Sequence, residues 1–423
     1  MKVNLIQKDR GMLNGDYGEA ARLAMNIIVR MADVLDAPEL MDITQSHIDG
    51  CGLMSDTGLE FAETMAKRGG KVIVPTTMNM IPLDLRNWKK LGVPEDFANR
   101  ALRMAKAYED MGCIPTWTCA PYQGYMVPRF GQQIAWGESN AINYANSVLG
   151  ARTERYADFM DLCAALTGRV PKYGLHLKEN RKGEVLIRLV NFAPDVFRDD
   201  TFFPALGHLT GKIAEHRIPV IDGLVGYVTS DQFKAFGAAA ASSGAVGLYH
   251  IVGITPEAPT LEDAFQGTEP PEVVEVTPLD VMAARASLST TKGEGLNLDA
   301  VVLGCPHFSY DEFRKVAQAI EKYPQGLSSG VRFIILTSQA SYALLERSAS
   351  LSVLASFGAE IIFDTCIFHS PIVASGASVI MTNSGKCAYY APGEMDVNVV
   401  FGNIEDCVRS AVLGVIHTEE TRW

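Results

Sequence analysis

Residues 298–323 read LDAVVLGCPHFSYDEFRKVAQAIEKY, and this stretch decides the fold class that we predict for the chain. Its first half is an apolar run that ends at Cys305, which is typical of a buried strand. Its second half, from Tyr310 onward, spaces its apolar residues as an amphipathic helix does. A strand that leads directly into a helix indicates a parallel sheet with helical crossovers.

The same pattern recurs through the rest of the C-terminal third. Strand-like apolar runs cover residues 331–339, 359–364, 377–382 and 397–402. In open parallel sheets, ligands bind beyond the carboxyl ends of the strands, where the loops converge. We therefore expect ligand-binding groups among the residues at these predicted strand ends. These residues are Cys305, Ser338, Cys366 and Ser384–Lys386.

The earlier part of the chain also mixes strands with helices. Helical spacing over residues 16–35 and 93–112 flanks the strand-like segment KVIVPTTMN at 71–79. Residues 173–191 predict two strands joined by a polar turn, and the proline- and glutamate-rich residues 254–278 predict a linker. The resulting prediction is three α/β subdomains, over residues 1–170, 171–290 and 291–423.

Composition excludes several classes of protein. The 423 residues are 48% hydrophobic and 20% charged, which is typical of a globular chain with a large core. A net charge of −12 argues against a nucleic-acid or anionic-membrane surface, because both need clustered Lys and Arg. We find no apolar run of about 18 residues and no signal-peptide core. Since eight cysteines are too few for a disulfide framework, we expect thiols and a cytoplasmic protein.

Three cysteines share a local context. Cys119, Cys305 and Cys366 each follow a strand-like run and lie in a loop-like segment. Three thiolates from distant loops could hold zinc or an iron–sulfur cluster, although the close cysteine pairs of structural zinc sites are absent. The alternative is that they are three unrelated loop cysteines. Spacing by itself leaves these readings open.

Two polar stretches are further candidates for ligand contacts. Residues 136–155, WGESNAINYANSVLGARTER, repeat Asn and Ser where a surface helix would favour Lys and Glu. Residues 74–79, VPTTMN, place polar groups at a strand end, and ordinary turn chemistry is the alternative there. His47 and His307 could be bases, ligands or core residues. The residues before Ser384-Gly385-Lys386 do not form a P-loop.

Eight motifs occur here in one order and together resemble the large, catalytic subunit of the aconitase X family. The resemblance runs over nearly the whole chain, from about Leu13 to Val412. Each motif alone is a weak signal, whereas their joint occurrence is specific. The motifs are LNGDYGEAARLAM, SHIDGCG, KVIVPTTMN, PTWTCAPY, WGESNAINYANSVLGARTER, LGCPHFS, FDTC and TNSGKCAYYAPG.

The resemblance implies an aconitase-like large subunit of several α/β subdomains with mainly parallel sheets. It implies an iron–sulfur-dependent dehydratase, a hydro-lyase that removes water from a small hydroxy acid without the rehydration that aconitase performs. In this superfamily a smaller swivelling domain, fused or separate, closes over the cluster-bearing part. Because this chain matches only the large part, the resemblance implies a heterodimer with a small subunit.

Carried over onto this sequence, the resemblance assigns an iron–sulfur cluster of open nuclearity to Cys119, Cys305 and Cys366. By analogy with aconitase, it assigns the base to a serine of the small subunit, so we name no catalytic residue in this chain. The residues that it places in the substrate pocket are His47, Ser55, Thr76, Thr77, Asn79, Glu138, Ser139, Asn140, Arg152 and Lys386.

Two substrates compete within the family, cis-3-hydroxy-L-proline and mevalonate 5-phosphate. The stretches DITQSHIDGC and MIPLDLRNWKKLGV resemble the bacterial hydroxyproline enzymes. We therefore predict dehydration of cis-3-hydroxy-L-proline to Δ1-pyrroline-2-carboxylate, with the large subunit of a mevalonate 5-phosphate dehydratase as the alternative. An alternative of another class is a non-catalytic scaffold that binds a small acid or is stabilised by zinc.

Overall fold

The computed structural model describes residues 3–53, 55–291, 294–372 and 377–419. The chain divides into two compact units. The first unit comprises Met1–Lys182 together with Asp364–His369, and the second comprises Gly183–Phe363 together with Ser370–Trp423. Within the described ranges, none of the helices combines the length and the apolar character that crossing a membrane requires.

The first unit alternates short strands with helices. In chain order its elements are α1 (Gln7–Asn14), α2 (Glu19–Val34), β1 (Leu40–Asp42), β2 (Ser46–Ile48), α3 (Asp56–Lys67), β3 (Thr76–Met78), α4 (Glu95–Asp110), β4 (Ala135–Trp136), α5 (Ser139–Ser147), α6 (Met160–Thr167) and β5 (Arg169–Pro171).

Strands β2, β3 and β4 form a parallel sheet in the order β3–β2–β4, with Ser46 opposite both Thr76 and Ala135. Strands β1 and β5 form a separate antiparallel pair, in which Met41 lies opposite Val170. Because the three parallel strands run in one direction, their carboxyl ends meet at one edge of the sheet. That edge positions most of the candidate site.

Apolar burial holds the helices of this unit in place. Helix α2 buries Ala24, Met25, Ile28 and Ala32, which recur at helical spacing along one face. Met104 of α4 is fully buried in the same core. Helices of this length are marginal in isolation, so burial at about 25 cal/mol per Å² of apolar surface supplies most of their stability.

The second unit contains the longer strands. In chain order its elements are β6 (Val185–Leu189), α7 (Phe202–Ala214), β7 (Pro219–Asp222), α8 (Ser230–Ser243), β8 (His250–Ile251), α9 (Leu261–Ala264), β9 (Val273–Val276), α10 (Pro278–Ser287), β10 (Ala300–Phe308), α11 (Tyr310–Ile320), β11 (Arg332–Thr337), α12 (Gln339–Leu345), α13 (Ser350–Phe357), β12 (Glu360–Phe363), β13 (Val379–Thr382), α14 (Gly385–Met395), β14 (Asn398–Phe401) and α15 (Ile404–Leu413).

Two parallel sheets organise the second unit. One has five strands in the order β12–β11–β10–β13–β14, and the other has four in the order β8–β7–β6–β9. Strand β10 lies at the centre of the larger sheet, and Val301, Val302 and Leu303 are fully buried there. The predicted fold class, α/β with mainly parallel sheets and helical crossovers, is confirmed.

The hairpin predicted over residues 173–191 is wrong. Two 3₁₀ turns, Gly174–His176 and Lys178–Arg181, precede β6, and β6 pairs in parallel with β7 and β9. The Leu175 backbone N–H donates to the Glu154 carboxylate at 2.8 Å, and the buried Arg181 guanidinium donates to the Leu175 carbonyl at 2.9 Å. These long-range partners satisfy backbone groups that a hairpin would have paired across its two strands.

The predicted linker over residues 254–278 is likewise structured. It contains α9 and the edge strand β9, in which Val273 lies opposite Leu186 of β6. Thr260 caps α9 and Thr277 caps α10, each in a reciprocal capping box with an aspartate. The threonines and acidic residues of this stretch therefore start helices, and the stretch belongs to the four-stranded sheet.

Candidate active site

The carboxyl edge of the β3–β2–β4 sheet gathers polar side chains from three separate parts of the sequence. Asp49 follows β2, Asn79 follows β3, and Glu138 follows β4 after one glycine. The Asn79 amide nitrogen donates a hydrogen bond to the Asp49 carboxylate. Parallel sheets bind ligands at this edge, so we take it as the candidate active site of the first unit.

A second aspartate, Asp161, accepts a hydrogen bond from the backbone of Asp49. The backbone N–H of Asp49 donates to a carboxylate oxygen of Asp161, which lies in the first turn of α6, at 2.6 Å. Gly137 permits this approach, because a Cβ there would lie 2.6 Å from the Asp49 Cβ and 2.8 Å from an Asp161 carboxylate oxygen. The glycine of the WGESN motif is thus required by close packing.

The electrostatics of this edge favour bound protons. Burial, reinforced by the negative charges of Glu138, Asp158 and Asp161, raises the pKa of Asp49 from 3.8 to about 8. Burial likewise raises the pKa of Asp161 to about 7, although hydrogen bonds from backbone N–H groups oppose the shift. Asp49 therefore holds a proton at neutral pH, and Asp161 titrates in that range; raised pKa values of this kind are typical of active-site acids.

Asp49 and Asp161 were missed in the sequence analysis. Asp49 stands in the motif SHIDGCG directly after a strand, which is the position that marks ligand groups in parallel sheets. That signal was available. Asp161 had none, because its role depends on a contact with a residue 112 positions away.

His47 lies within β2 and is fully buried. Its Nδ1 is 2.9 Å from the Thr77 hydroxyl, and its Nε2 has no hydrogen-bond partner among the described residues. Burial lowers the pKa of His47 to about 3, although Glu138 opposes the shift. The imidazole is therefore neutral, and it lies within β2, two residues before Asp49.

The predicted pocket residues of β3 and α3 are placed differently from one another. The hydroxyl of Thr76 is buried and donates to the Val74 carbonyl at 2.8 Å, which is a local structural bond. Thr77 contacts His47 as described. Ser55 is exposed at the start of α3 and makes no side-chain cap. Of the residues predicted from this region, the structure therefore brings Asn79 to the carboxyl edge.

The loop at the start of α5 links the sheet edge to a cysteine. Glu138 has φ of +62° and caps α5 by accepting from the Ala141 N–H at 2.8 Å. The Ser139 hydroxyl donates to Glu138 at 3.3 Å. The Asn140 amide donates to the Cys119 carbonyl at 3.1 Å. This predicted polar loop therefore stands beside the predicted ligand Cys119.

Arg152 does not join this group through its backbone. Residue 152 forms a parallel bridge with Gln133, at the amino end of β4. Its Nε is buried and has no hydrogen-bond partner among the described residues. The family resemblance placed Arg152 in the pocket as part of the polar motif 136–155, but the chain turns back after α5.

Cys119 and Cys366 approach the same short segment of the first unit. The Thr118 N–H donates to the Met78 carbonyl at 3.1 Å, and the Ile81 N–H donates to the Asp364 carbonyl at 2.8 Å. Residues 78–81 therefore hold both cysteine loops beside Asn79. The strand that we predicted before Cys119 is absent, since the structure has there an isolated bridge at residue 114 and a positive φ of 43° at residue 117.

Cys305 belongs to the second unit and lies within β10, next to a cis Cys305–Pro306 bond. The hydroxyl of Ser384, the N-cap residue of α14, donates to the Cys305 carbonyl. The Lys234 ammonium donates to the His307 carbonyl at 3.1 Å. Lys386 lies in the first turn of α14 and is half-buried. Cys305 was predicted in a loop, but the structure places it within β10, where side chains from α8 and α14 hold the strand backbone.

Exposure separates the eight cysteines into two groups. Cys119, Cys305 and Cys366 are partly exposed, whereas the other five are buried. Burial raises the pKa of Cys113 to about 12, which makes it an unreactive thiol. Among the described residues, no three His, Cys, Asp or Glu side chains are grouped to hold a single metal ion. The accessible thiols are a soft donor set, which suits the iron of an iron–sulfur cluster.

Comparison with protein families covers most of the chain. Residues 2–179 match the family model of the aconitase X first domain, residues 183–286 match that of the second domain, and residues 298–413 match that of the third domain.

Curated relatives fall into two groups. The cis-3-hydroxy-L-proline dehydratase of Hypocrea jecorina is 42% identical, over 99% of this chain and 70% of that protein. The cis-3-hydroxy-L-proline dehydratase of Pseudomonas aeruginosa is 44% identical, over 96% of this chain and 69% of that protein. The phosphomevalonate dehydratase large subunit of Methanothermobacter thermautotrophicus is 35% identical over 96% of this chain and 98% of that protein. Among solved structures, holo-form aconitase X of Thermococcus kodakaraensis has a TM-score of 0.85 and 30% identity, over 97% of this chain and all of that one.

Proposed function

The chain belongs to the aconitase X family, and we propose that it is the large subunit of an iron–sulfur hydro-lyase that converts cis-3-hydroxy-L-proline to Δ1-pyrroline-2-carboxylate. The observation that carries the substrate is the 42–44% identity to the two hydroxyproline dehydratases, against 35% to the first phosphomevalonate relative. The polar carboxyl edge of the β3–β2–β4 sheet supports the reaction class, because elimination of water needs placed proton carriers and hydrogen-bond donors.

We propose that Cys119, Cys305 and Cys366 hold the cluster, since they are the accessible thiols among the eight cysteines. When bound, the cluster supplies a Lewis acid for the oxygen of the departing hydroxyl. The asparagine and serine side chains at the sheet edge, Asn79, Ser139 and Asn140, would orient the substrate by hydrogen bonds. Lys386 would pair with the substrate carboxylate as a point charge.

A small swivelling-domain subunit would complete the enzyme and supply the base. One observation supports a heterodimer. The phosphomevalonate dehydratase relatives from two archaea are named large subunits, and they match over almost their full length. We place the complex in the cytoplasm, where a reducing environment keeps accessible cysteine ligands from forming disulfides.

The three-subdomain division at residues 170 and 290 stays a prediction. Limited proteolysis of the purified chain tests it, because cuts should concentrate where few contacts cross the boundary. Preferred cleavage within other segments would contradict the division.

The proposed reaction is tested with the two subunits co-expressed and purified without oxygen. The complex should contain iron and acid-labile sulfide, and should release Δ1-pyrroline-2-carboxylate from cis-3-hydroxy-L-proline. Turnover of mevalonate 5-phosphate instead would show that the alternative substrate is the correct one. The match over 98% of the Methanothermobacter large subunit is the observation that favours this alternative. Stoichiometric zinc, no sulfide and no turnover would instead support the scaffold.

Cysteine labelling tests the ligand assignment without relying on turnover. In the iron-free chain, iodoacetamide should modify Cys119, Cys305 and Cys366 before the five buried thiols, and reconstitution with iron and sulfide should protect them. Replacing any of the three with serine should lower the cluster content, whereas Cys113→Ser is the matched control that should not. Protection of a different set of cysteines would overturn the assignment.

A further inference from the structure

We propose that Asp49 is a catalytic acid of this site and that its carboxyl gives a proton to the hydroxyl that leaves the substrate. This inference rests on the proposed function and adds to it a proton donor within this chain. It concerns a residue outside the set assigned from the family resemblance. The cluster and the small subunit are not needed to place it, because all of its contacts lie in the first unit.

Position separates Asp49 from the other acids around it. Asp49 is half-buried at the carboxyl edge, so a ligand there can reach its carboxyl group. Asp161 is fully buried and accepts backbone N–H bonds, and Glu138 is 6% exposed and caps α5. Asp158 lies at the surface before α6. Asp49 is thus the acid that combines access from the edge with an enclosed setting.

Asn79 provides an independent sign that a ligand binds beside Asp49. Its side chain is only 2% exposed, and its amide nitrogen donates to Asp49. Its amide oxygen is buried and has no hydrogen-bond partner among the described residues. An unpartnered buried acceptor is unfavourable, so it indicates a donor that arrives with the ligand. A hydroxyl or an amine N–H of a small hydroxy acid fits that requirement.

The groups that face Asp49 keep it protonated. Carboxylates act on it from the start of α5 and from the segment that enters α6. Burial and these charges raise the pKa of Asp49 to about 8, opposed by the Asn79 bond. The titratable groups that interact with it are Cys51, Glu138, Asp158 and Asp161.

The proposed step balances as follows. The substrate C–O bond breaks and its electron pair leaves with oxygen, which takes the Asp49 proton and departs as water. The proton on the carbon next to the carboxylate goes to the separate base, and the new C=C bond forms from that C–H pair. Asp49 then regains a proton from solvent and the base releases its proton to solvent, so the net change per turnover is the loss of one water.

Asp49→Asn in the reconstituted complex tests the inference, because the amide keeps the shape but cannot donate an acidic proton. We expect kcat/KM to fall by about 10²–10⁴-fold with normal cluster absorption and an unchanged thermal midpoint. In the wild type, kcat/KM should decline as pH rises through about 8, as Asp49 loses its proton. Asp161→Asn should move that decline to lower pH, since one negative neighbour of Asp49 is removed. The exposed Asp96→Asn is the matched control.

A direct titration distinguishes this inference from the proposed function. The infrared difference between wild type and Asp49→Asn should show a protonated carboxyl that ionises near pH 8, with or without substrate turnover. Ionisation near pH 4, or kcat/KM within twofold of wild type, would overturn the acid role while the proposed function stands. If the wild type dehydrates neither substrate, the proposed function fails, and the titration alone decides whether Asp49 holds a proton.

Discussion

Two strand edges in this molecule handle buried charge in opposite ways. At the edge of the first unit, Asp49 and Asp161 lie among further carboxylates, and both carry raised pKa values. At the end of β10 in the second unit, the Lys234 ammonium contacts Glu312, Asp231 and the His307 carbonyl. Although burial alone would lower it, these carboxylates raise the pKa of Lys234.

The difference explains what each edge can do. Carboxyl groups that lie close together raise one another's pKa, so they can hold a proton and donate it, which suits proton transfer. Opposite charges that pair in a buried network fix a backbone turn, which suits a rigid support for a ligand residue. Under the proposed function, the first edge would carry the acid chemistry and the second would hold Cys305 in place.

The largest expected effect comes from breaking the paired network. Lys234→Met should lower the free energy of unfolding by about 3–5 kcal/mol, because Lys234 is 2% exposed and its loss leaves buried carboxylates without a cation. Urea unfolding of the chain measures the change. Lys315→Met is the control, since its pair with Asp200 is 44% and 34% exposed and should matter by less than about 1 kcal/mol. Equal losses of unfolding free energy in the two variants would show that the buried network contributes no more than an exposed ion pair.

Gly304, the residue before Cys305, tests whether the backbone of the second edge depends on close packing. Gly304 has φ of +91°, and a Cβ there would lie 2.1 Å from the Leu336 carbonyl oxygen. Gly304→Ala should cost about 2–4 kcal/mol, because strain and a backbone clash add together. Gly330 has nearly the same φ, +92°, but open space around it, so Gly330→Ala should cost about 1 kcal/mol. Thermal and urea unfolding measure the loss of stability in both variants. Similar losses would show that the close approach of Leu336 does not contribute to the cost at Gly304.

The smallest expected effect is a change of stability with pH at the first edge. The pKa of Asp161 is raised from 3.8 to about 7, so its folded form binds the proton more tightly than its unfolded form. Its stabilising contribution is therefore present below pH 3.8 and is lost as pH rises through about 7. Asp161→Asn should flatten this decline, because the amide does not ionise in either state. Hydrogen exchange of α6 amides at pH 5 and pH 8 measures it, and an unchanged slope would contradict the raised pKa.

Local patterns were sufficient to predict much of this molecule. The alternation of apolar runs and amphipathic segments predicted parallel sheets with helical crossovers, because strand and helix periodicity is expressed within about ten residues. The same reasoning placed Asn79 at the end of a strand, where the structure has it. It failed at residues 173–191, where Glu154 and Arg181 bind backbone groups that a hairpin would use.

The sequence by itself therefore determined the fold class, the family and part of the set of residues at strand ends, such as Asn79. Only the tertiary structure decided which of these residues share an environment. Asp161 reaches Asp49 across 112 residues, and Gly137 lets the two approach. A proton affinity depends on every charge and surface that surrounds the group, and those neighbours come from distant parts of the chain. That sum exists only in the folded molecule.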